Sequence, residues 1–342
     1  MIIINCTFRR IFVKKVICSL LVVFLCFVAF AQAANENVIT IKVNCLENEE
    51  HGQGVFCNTF KEELEKISGG KIKVNVFLNA SLYTQDGALP AIISGDLEMN
   101  LTSFQVTAEY YKGISMLTVP YVFKGYDHMR AVMDSEVGEY LAEEISKAAG
   151  YYPIIGIYNG SRELNLRTST PVTKPEDLAS TVLRMPNSTA WIAAGESLGA
   201  KVTPLAYSEV YTALQMGTID AQDNPLPSVK TMKFYEVTKQ ISLTNHITDC
   251  VLVTINTKFW NSLTEEQQGW IRQAAKAGQE ACDALILKQE AELCDFFASQ
   301  GLIIVNPDID AFAAYSYDYY VSHGLTADWD MDLYNRIQAL AK

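Results

Sequence analysis

One uninterrupted helical pattern near the C-terminus constrains the fold of this chain more than any other feature. Thr264 and Gln267 form the Thr-x-x-Gln capping box that starts helices, and Gly301 ends the pattern without an intervening proline. A helix of roughly 36 residues is ~54 Å long, which exceeds the diameter of one small domain. The pattern therefore predicts a helix that braces two lobes; two helices broken near Gly278 are the alternative. Its apolar face consists of Trp270, Ile271, Ala274, Ala275, Ala281, Leu285, Leu293, Phe296 and Phe297.

Strand and helix patterns alternate before this helix. Residues 38–43 and 71–77 are typical of strands, and the segment between them carries apolar residues at helical spacing before Gly69 and Gly70 end it. A strand, a helix and a second strand in this order indicate a parallel sheet. The chain is therefore predicted to be an α/β protein, with further strands at residues 97–101, 153–158, 182–185 and 251–255.

The first 33 residues are typical of a secretory signal peptide. Four basic residues precede an apolar run at 16–30, and small residues occupy Ala31 and Ala33, the positions that a signal peptidase reads. The run of about fifteen residues is short for a spanning helix, although an uncleaved anchor is the alternative. Removal of the four basic residues from 27 leaves 23 against 39 acidic residues, a net charge of −16. Such a charge disfavours nucleic acids and anionic membranes as partners.

The sequence gives little support for catalysis or for a bound metal. The four histidines are scattered, and the motifs of metalloproteases, α/β-hydrolases and nucleotide-binding loops are absent, so an enzyme is disfavoured and no cofactor is expected. The five cysteines after residue 33 form no CxxC pair of a zinc site. Cys282 and Cys294 lie ~18 Å apart if they share one helix, too far for a disulfide. A disulfide between Cys45 and Cys57 is compatible with the sequence but not required by it.

Arg184 is the strongest candidate for a ligand-binding residue. It stands in the predicted strand at 182–185, before the segment Pro186-Asn187-Ser188 that starts a helix. Open α/β sheets bind ligands where strand ends face helix N-termini. A planar guanidinium suits a carboxylate, which it binds through two parallel N–H groups. A structural arginine paired with a distant acidic residue is the alternative.

Three further polar residues follow predicted strands or turns. Arg162 follows the strand at 153–158, and Arg167 lies five residues later, so either is a candidate second cation. Asn224 stands in a predicted loop before Pro225, where its amide can both donate and accept hydrogen bonds. A surface turn is the alternative for Asn224.

The run RMPNSTAWIAAGESLGAKVTPLAYSEVYTALQMGTIDAQDNPL, residues 184–226, resembles the signature region of the DctP-type solute-binding proteins of tripartite ATP-independent periplasmic (TRAP) transporters. YNGSRELN, YEVTKQISLTNH and the long helix after FWNSLTEEQQ match as well, so the resemblance extends from about residue 38 to about residue 308. It implies a two-lobed (Venus-flytrap) binding protein in the periplasm, cleaved near Ala33. Such a protein passes an organic acid to a sodium-driven permease with a small and a large membrane subunit. A binder of a sulfonate or other anion, a ligand presenter to a membrane receptor, and an exported hydrolase are the alternatives.

The resemblance also implies a set of ligand-binding residues. The family's ligand arginine falls on Arg184, and its second arginine falls on Arg162 rather than on Arg167. The other positions implied are Asn44, Gln85, Ser103, Asn187, Tyr207, Asn224 and His246. Gln85 and Ser103 stand where the sialic-acid binders of the family carry acidic residues that contact the far end of the sugar. This departure disfavours sialic acid and favours another acid.

Two discontinuous lobes follow from the same resemblance. Residues 34–159 with 250–289 are expected to form lobe I, and residues 160–249 with 290–342 to form lobe II. The ligand is expected to bind between the lobes and to favour their closure, because contacts with both lobes exist only in the closed state.

Overall fold

The computed structural model describes residues 38–327 and 329–341. The predicted signal peptide therefore lies outside the described residues. Within these ranges, no helix is both long and apolar enough to cross a membrane.

One mixed sheet of nine strands organises the described chain. The order is β2–β1–β3–β8–β4–β7–β5–β6, and β9 pairs with the N-terminal part of β8. The strands are β1 Ile39–Asn44, β2 Ile72–Phe77, β3 Met99–Ser103, β4 Tyr151–Leu166, β5 Val182–Met185, β6 Lys201–Pro204, β7 Ala221–Pro225, β8 Gln240–Asn256 and β9 Ile303–Val305. We call β1–β3 the first half of the sheet and β5, β6, β7 and β9 the second half. The α/β prediction is confirmed.

Two long antiparallel strands join the halves. β4 and β8 pair along their whole lengths, whereas the sequence predicted strands only at 153–158 and 251–255. In β4, buried polar residues such as Asn159 and Asn165 interrupt the apolar pattern, so the sequence did not show that the strand continues beyond residue 158. The register shifts near Gly160, whose φ of 113° is accessible to glycine, so the strand pair is irregular between the two halves.

Twelve α-helices and four short 3₁₀ turns cover the sheet within the described residues. The helices are α1 Gly52–Ile67, α2 Gln85–Ser94, α3 Phe104–Thr107, α4 Tyr126–Met133, α5 Glu136–Ala149, α6 Thr189–Glu196, α7 Val210–Met216, α8 Leu226–Thr231, α9 Thr257–Ser262, α10 Glu265–Ser299, α11 Ile309–Ser322 and α12 Met331–Gln338. The 3₁₀ turns are Lys112–Thr118, Pro175–Leu178, Tyr207–Glu209 and Phe234–Glu236.

The long helix α10 is continuous over 35 residues, so the alternative of a break near Gly278 is wrong. The predicted capping box is present, with Thr264 and Gln267 bonding each other's backbone N–H groups. Gly278 faces α1, where a Cβ atom would lie 2.8 Å from the ring of Phe56. Position 278 therefore requires glycine because α10 and α1 pack closely there, and not because α10 is kinked.

The helix α10 spans two hydrophobic cores. Ile271 and Ile286 belong to the core of the first half, whereas Leu293 and Phe297 belong to a core of the second half. The predicted brace is therefore confirmed.

The C-terminal helix α12 packs against the first half of the sheet. Leu333 and Ile337 join the core of the first half, and His128 Nε2 contacts the carbonyl of Ile337 at 2.8 Å. The sequence predicts residues 290–342 in the second lobe, and an amphipathic helix alone does not reveal which core it covers. The lobe boundaries stay a prediction.

Candidate functional site

A cavity opens between the two halves of the sheet. It holds about 770 Å³ of space free of protein atoms, part of it open to solvent. Six of the nine predicted binding residues line it: Gln85, Ser103, Arg162, Arg184, Tyr207 and Asn224. Its lining of polar and apolar side chains is typical of small-molecule sites.

Arg184 is a buried cation without an acidic partner among the described residues. Its side chain is 1% exposed, and it donates from Nε to the carbonyl of Leu205 (2.8 Å) and from NH2 to Gln85 Oε1 (3.1 Å). Three of its five N–H groups therefore have no partner in this part of the chain. Burial, together with the positive charge of Arg162, lowers the pKa of Arg184 to about 10, so it stays protonated at neutral pH. Among the described residues no ion pair with an acidic side chain supports the alternative of a structural arginine, although the charge of nearby Asp223 opposes the lowering of the Arg184 pKa.

Arg162 is a paired cation. It lies inside β4 rather than after a strand, and it bonds Asp223 through Nε (2.7 Å) and NH2 (3.1 Å) and Asp249 through NH1 (2.7 Å). Burial alone would lower its pKa, but the charges of Asp223 and Asp249 outweigh burial and raise the pKa above its ordinary value. Two buried carboxylates thus hold the guanidinium in place, and the face of Trp191 covers it, with 4.5 Å from Cζ to the ring centroid.

Asn224 and Tyr207 also line the cavity, and each contacts one of the two arginines. Asn224 lies in β7 opposite Glu163 of β4, so its assignment to a loop is wrong. Its Oδ1 accepts from Arg162 NH2 at 3.1 Å. The ring of Tyr207 lies 6.0 Å from Arg184 Cζ, and its hydroxyl donates to Glu47 Oε1 at 2.7 Å.

Gln85 and Ser103 reach across the cavity from the first half of the sheet. Gln85 Oε1 accepts from Arg184 NH2 and from the backbone N–H of Tyr207, both at 3.1 Å. Ser103 Oγ accepts from the indole N–H of Trp191 at 3.3 Å. Gln85 therefore lies against the Arg184 guanidinium and not at a far end of the site, because the N-terminus of α2 faces the Tyr207 turn.

Three predicted residues do not line this cavity. Asn44 lies behind the wall, where Nδ2 donates to Asn100 Oδ1 at 3.3 Å, because the end of β1 turns its side chain into the sheet. His246 lies behind Asp223, with 3.1 Å from Nε2 to Asp223 Oδ2. Asn187 is exposed beside a neighbouring surface depression, because it precedes α6 on its outer side.

Several polar wall residues escaped the sequence analysis: Glu47, Gln53, Asn100, Asn159, Trp191 and Asp249. Glu47 begins the charged run Glu47-Asn48-Glu49-Glu50, which reads as a solvated surface, yet it is only 4% exposed. A usable signal existed for Asn159, a polar residue directly after an apolar strand pattern.

A serine and a histidine lie close together behind the cavity, but their hydrogen bonds exclude a nucleophilic pair. The N–H of Gln53 donates to His51 Nδ1 (3.2 Å), so the His51 proton resides on Nε2 and points to Ser228 Oγ (3.1 Å). The Ser228 hydroxyl in turn donates to Glu47 Oε1 at 3.0 Å. His51 therefore cannot accept the serine proton, as a catalytic base must.

Neither cysteines nor acidic side chains form a metal or disulfide site among the described residues. No group of three or more His, Cys, Asp or Glu side chains in these ranges is arranged to hold a metal ion. Cys45 and Cys57 are both buried free thiols.

Comparison with known proteins identifies the family. The sequence profile of the family described as bacterial extracellular solute-binding protein, family 7 (DctP) matches residues 44–322. The chain belongs to this family. Its members are solute-binding proteins and not enzymes, as the sequence predicted.

The relatives share both sequence and fold with this DctP-family chain. A solute-binding protein of Roseobacter denitrificans is 34% identical over 294 residues, which are 86% of this chain and 90% of the relative. The sialic acid-binding periplasmic protein SiaP of Vibrio cholerae is 33% identical over 251 residues, 73% of this chain and 78% of its own. A TRAP periplasmic solute-binding protein of Roseobacter denitrificans, solved with bound 3-deoxy-D-manno-oct-2-ulosonic acid, has a TM-score of 0.84 at 36% identity and covers 88% of this chain and 99% of its own.

Proposed function

We propose that this protein captures an organic acid between the two halves of its sheet, with Arg184 holding the carboxylate. The observation that carries the proposal is the pairing of the two buried arginines. Arg162 is neutralised by Asp223 and Asp249, whereas Arg184 has no acidic partner among the described residues and retains free N–H groups beside the cavity. A buried charge without a partner is costly. A ligand carboxylate supplies the missing partner.

The ligands of the relatives support a carboxylate. SiaP of Vibrio cholerae is named for sialic acid, and two Roseobacter denitrificans proteins were solved with 3-deoxy-D-manno-oct-2-ulosonic acid and with L-galactonate. Each of these compounds is a hydroxylated acid with one carboxyl group. For this chain we extend the likeness only to the class of organic acids.

Contacts across the cavity support closure on the ligand. Gln85 and Ser103 of the first half contact Arg184 and Trp191 of the second half directly. A ligand that touches both halves favours the closed arrangement by its differential affinity. We propose hinge motion at β4 and β8 between lobes of residues 34–159 with 250–289 and residues 160–249 with 290–330, leaving α12 with the first lobe.

The protein then delivers the acid to a TRAP permease of small and large membrane subunits, driven by sodium. The support is the family membership and the periplasmic names of the relatives. Export through the signal peptide at residues 1–33 places the protein in the periplasm, beside such a permease.

A thermal-shift screen tests the binding step. Purified protein is heated with single organic acids, each beside its uncharged primary amide. A ligand at 100 times its dissociation constant stabilises a protein by about 2.7 kcal/mol. We expect at least one acid to raise the unfolding midpoint while its amide does not. If no organic acid stabilises the protein, or if an amide acts as well as its acid, the proposed function is wrong.

A further inference from the structure

Glu47 is a carboxylate of the cavity wall without an arginine or lysine partner in the described part of the chain. Its oxygens accept from the hydroxyls of Tyr207 (2.7 Å), Ser228 (3.0 Å) and Thr231 (3.4 Å). His51 Nε2 lies 3.9 Å from Glu47, but burial lowers the pKa of His51, so this imidazole is neutral at neutral pH. The charge of Glu47 is therefore solvated by hydroxyl groups and not neutralised.

The second wall carboxylate, Asp249, differs from Glu47 in this respect. Asp249 Oδ2 accepts from Arg162 NH1 at 2.7 Å and from Asn159 Nδ2 at 3.0 Å. Among the described residues, the wall thus presents one cation without an ion pair, Arg184, and one anion without an arginine or lysine partner, Glu47. A ligand that contacts both Arg184 and Glu47 is therefore expected to carry a negative charge where it meets Arg184 and no negative charge where it meets Glu47.

Tyr207 joins these two ends of the site. Its ring faces Arg184 and its hydroxyl donates to Glu47, so the guanidinium and the carboxylate lie on opposite ends of one tyrosine side chain. An acid held at Arg184 that lies along this tyrosine side chain brings its other end to Glu47.

Neutral amides form part of the same cavity wall. Gln53, Asn100 and Asn159 all line the cavity. Asn100 Nδ2 and Gln85 Nε2 donate no hydrogen bond within the described residues, and both are suited to hydroxyl oxygens of a ligand. Alcohol groups, which both donate and accept, match such a surface better than a plain hydrocarbon chain.

We propose that Glu47 makes the site selective for acids with a single carboxylate and a hydroxylated carbon chain, and that it excludes dicarboxylates of the same length. The inference rests on the proposed function and specifies the class of acid. Two like charges about 5 Å apart, at an effective dielectric constant of about 20, repel by an energy equivalent to a factor of roughly two to three hundred in affinity. Water in the cavity reduces this factor, so we expect a preference of at least about tenfold.

Hydroxyls are favoured over an ammonium group as the partner of Glu47. Its carboxylate already accepts from three neutral hydroxyls, the wall carries the amides of Gln53, Asn100 and Asn159, and its second acid, Asp249, is paired with Arg162. A zwitterionic ligand is therefore an outcome that would count against the proposal.

Calorimetric titration with matched acids tests the inference. The pairs are threonate and tartrate, arabinonate and arabinarate, and galactonate and galactarate, which differ only in the oxidation of the terminal carbon. Succinate and 4-aminobutanoate complete the panel as an unhydroxylated dicarboxylate and a zwitterion. Wild type is compared with Glu47→Gln, which keeps an oxygen acceptor for Tyr207 and Ser228 but removes the charge. Glu236→Gln is the control, because Glu236 also accepts from a tyrosine, Tyr211 at 2.9 Å, but does not line the cavity.

In wild type we expect the monocarboxylate of a binding pair to bind at least about tenfold more tightly than its dicarboxylate. Glu47→Gln should reduce that ratio about tenfold, mainly by improving the dicarboxylate, and Glu236→Gln should leave it unchanged. If Glu47→Gln fails to fold, the ratio of monocarboxylate to dicarboxylate affinity in wild type still tests the predicted selectivity. Tighter binding of a dicarboxylate or of 4-aminobutanoate in wild type would overturn the inference, as would binding of other organic acids but none of the hydroxylated monocarboxylates. The absence of binding by every organic acid would instead overturn the proposed function.

Discussion

The two buried arginines predict opposite outcomes for the same substitution. Arg184→Lys keeps the charge but loses the planar fork, so it should weaken binding of the acid with little effect on the empty protein. Arg162→Lys should destabilise the empty protein, because a single ammonium cannot satisfy both Asp223 and Asp249 in the observed geometry.

The structure sets the magnitudes. Arg184 makes two hydrogen bonds to uncharged groups, each worth about 1.5 kcal/mol because the donor is charged; lysine keeps the charge and can recover most of this, so we expect a stability change of roughly 1 kcal/mol. Loss of one partner in a buried charged contact costs about 2–5 kcal/mol, or about 30-fold to several thousand-fold in affinity. Since lysine keeps the charge, at least about tenfold weaker binding is expected. Breaking a buried ion pair costs about 3–5 kcal/mol, which is the range expected for the empty Arg162→Lys protein.

Calorimetric titration and thermal unfolding of both variants decide the matter. The reasoning is refuted if Arg184→Lys binds the acid as wild type does. It is also refuted if the empty Arg184→Lys protein is destabilised as strongly as Arg162→Lys.

Three further predictions concern closure, pH and packing. Glu109→Gln should weaken ligand binding about two- to fivefold in titrations at low salt, because Glu109 Oε1 accepts from the backbone N–H of Thr189 at the N-terminus of α6 at 2.7 Å and so links the two predicted lobes; an unchanged affinity would show that this contact does not stabilise the closed form. Burial raises the pKa of Glu163 well above 4.5, so its contribution to stability is complete below about pH 4.5 and is lost as the pH rises through the raised pKa. Glu163→Gln should therefore match wild type in thermal unfolding near pH 4.5 and exceed it near pH 8; a difference independent of pH would contradict this. Gly278→Ala should lower the free energy of unfolding by about 1–3 kcal/mol because its Cβ meets Phe56 at 2.8 Å, whereas Gly269→Ala in the same helix meets nothing within 4 Å and should gain up to about 1 kcal/mol; denaturant titrations in which both variants shift alike would refute the packing argument.

The sequence predicted the helices and strands whose ends are determined by residues close by in the chain. The capping box at Thr264, the end at Gly301 and the apolar face between them define α10, because each signal acts within a few turns of one helix. The position of Arg184 at a strand end was predictable for the same reason, since Ser188 caps the helix that follows.

The features of the site that the sequence did not predict depend on contacts between residues far apart in the chain. Arg162 finds its partner Asp223 61 residues away, and no local pattern distinguishes that carboxylate from a surface one. Glu47 lies buried while its neighbours Glu49 and Glu50 are exposed, because the chain turns at the end of β1. The division of the two arginines into a paired and an unpaired cation therefore required the fold.

A crystal structure of the protein with its bound acid tests the central claim most directly. We expect a ligand carboxylate to accept from NH1 and NH2 of Arg184 at about 2.7–2.9 Å, while Arg162 keeps its contacts with Asp223 and Asp249. A ligand whose carboxylate lies away from Arg184, with that guanidinium bonded only to protein, would contradict the claim.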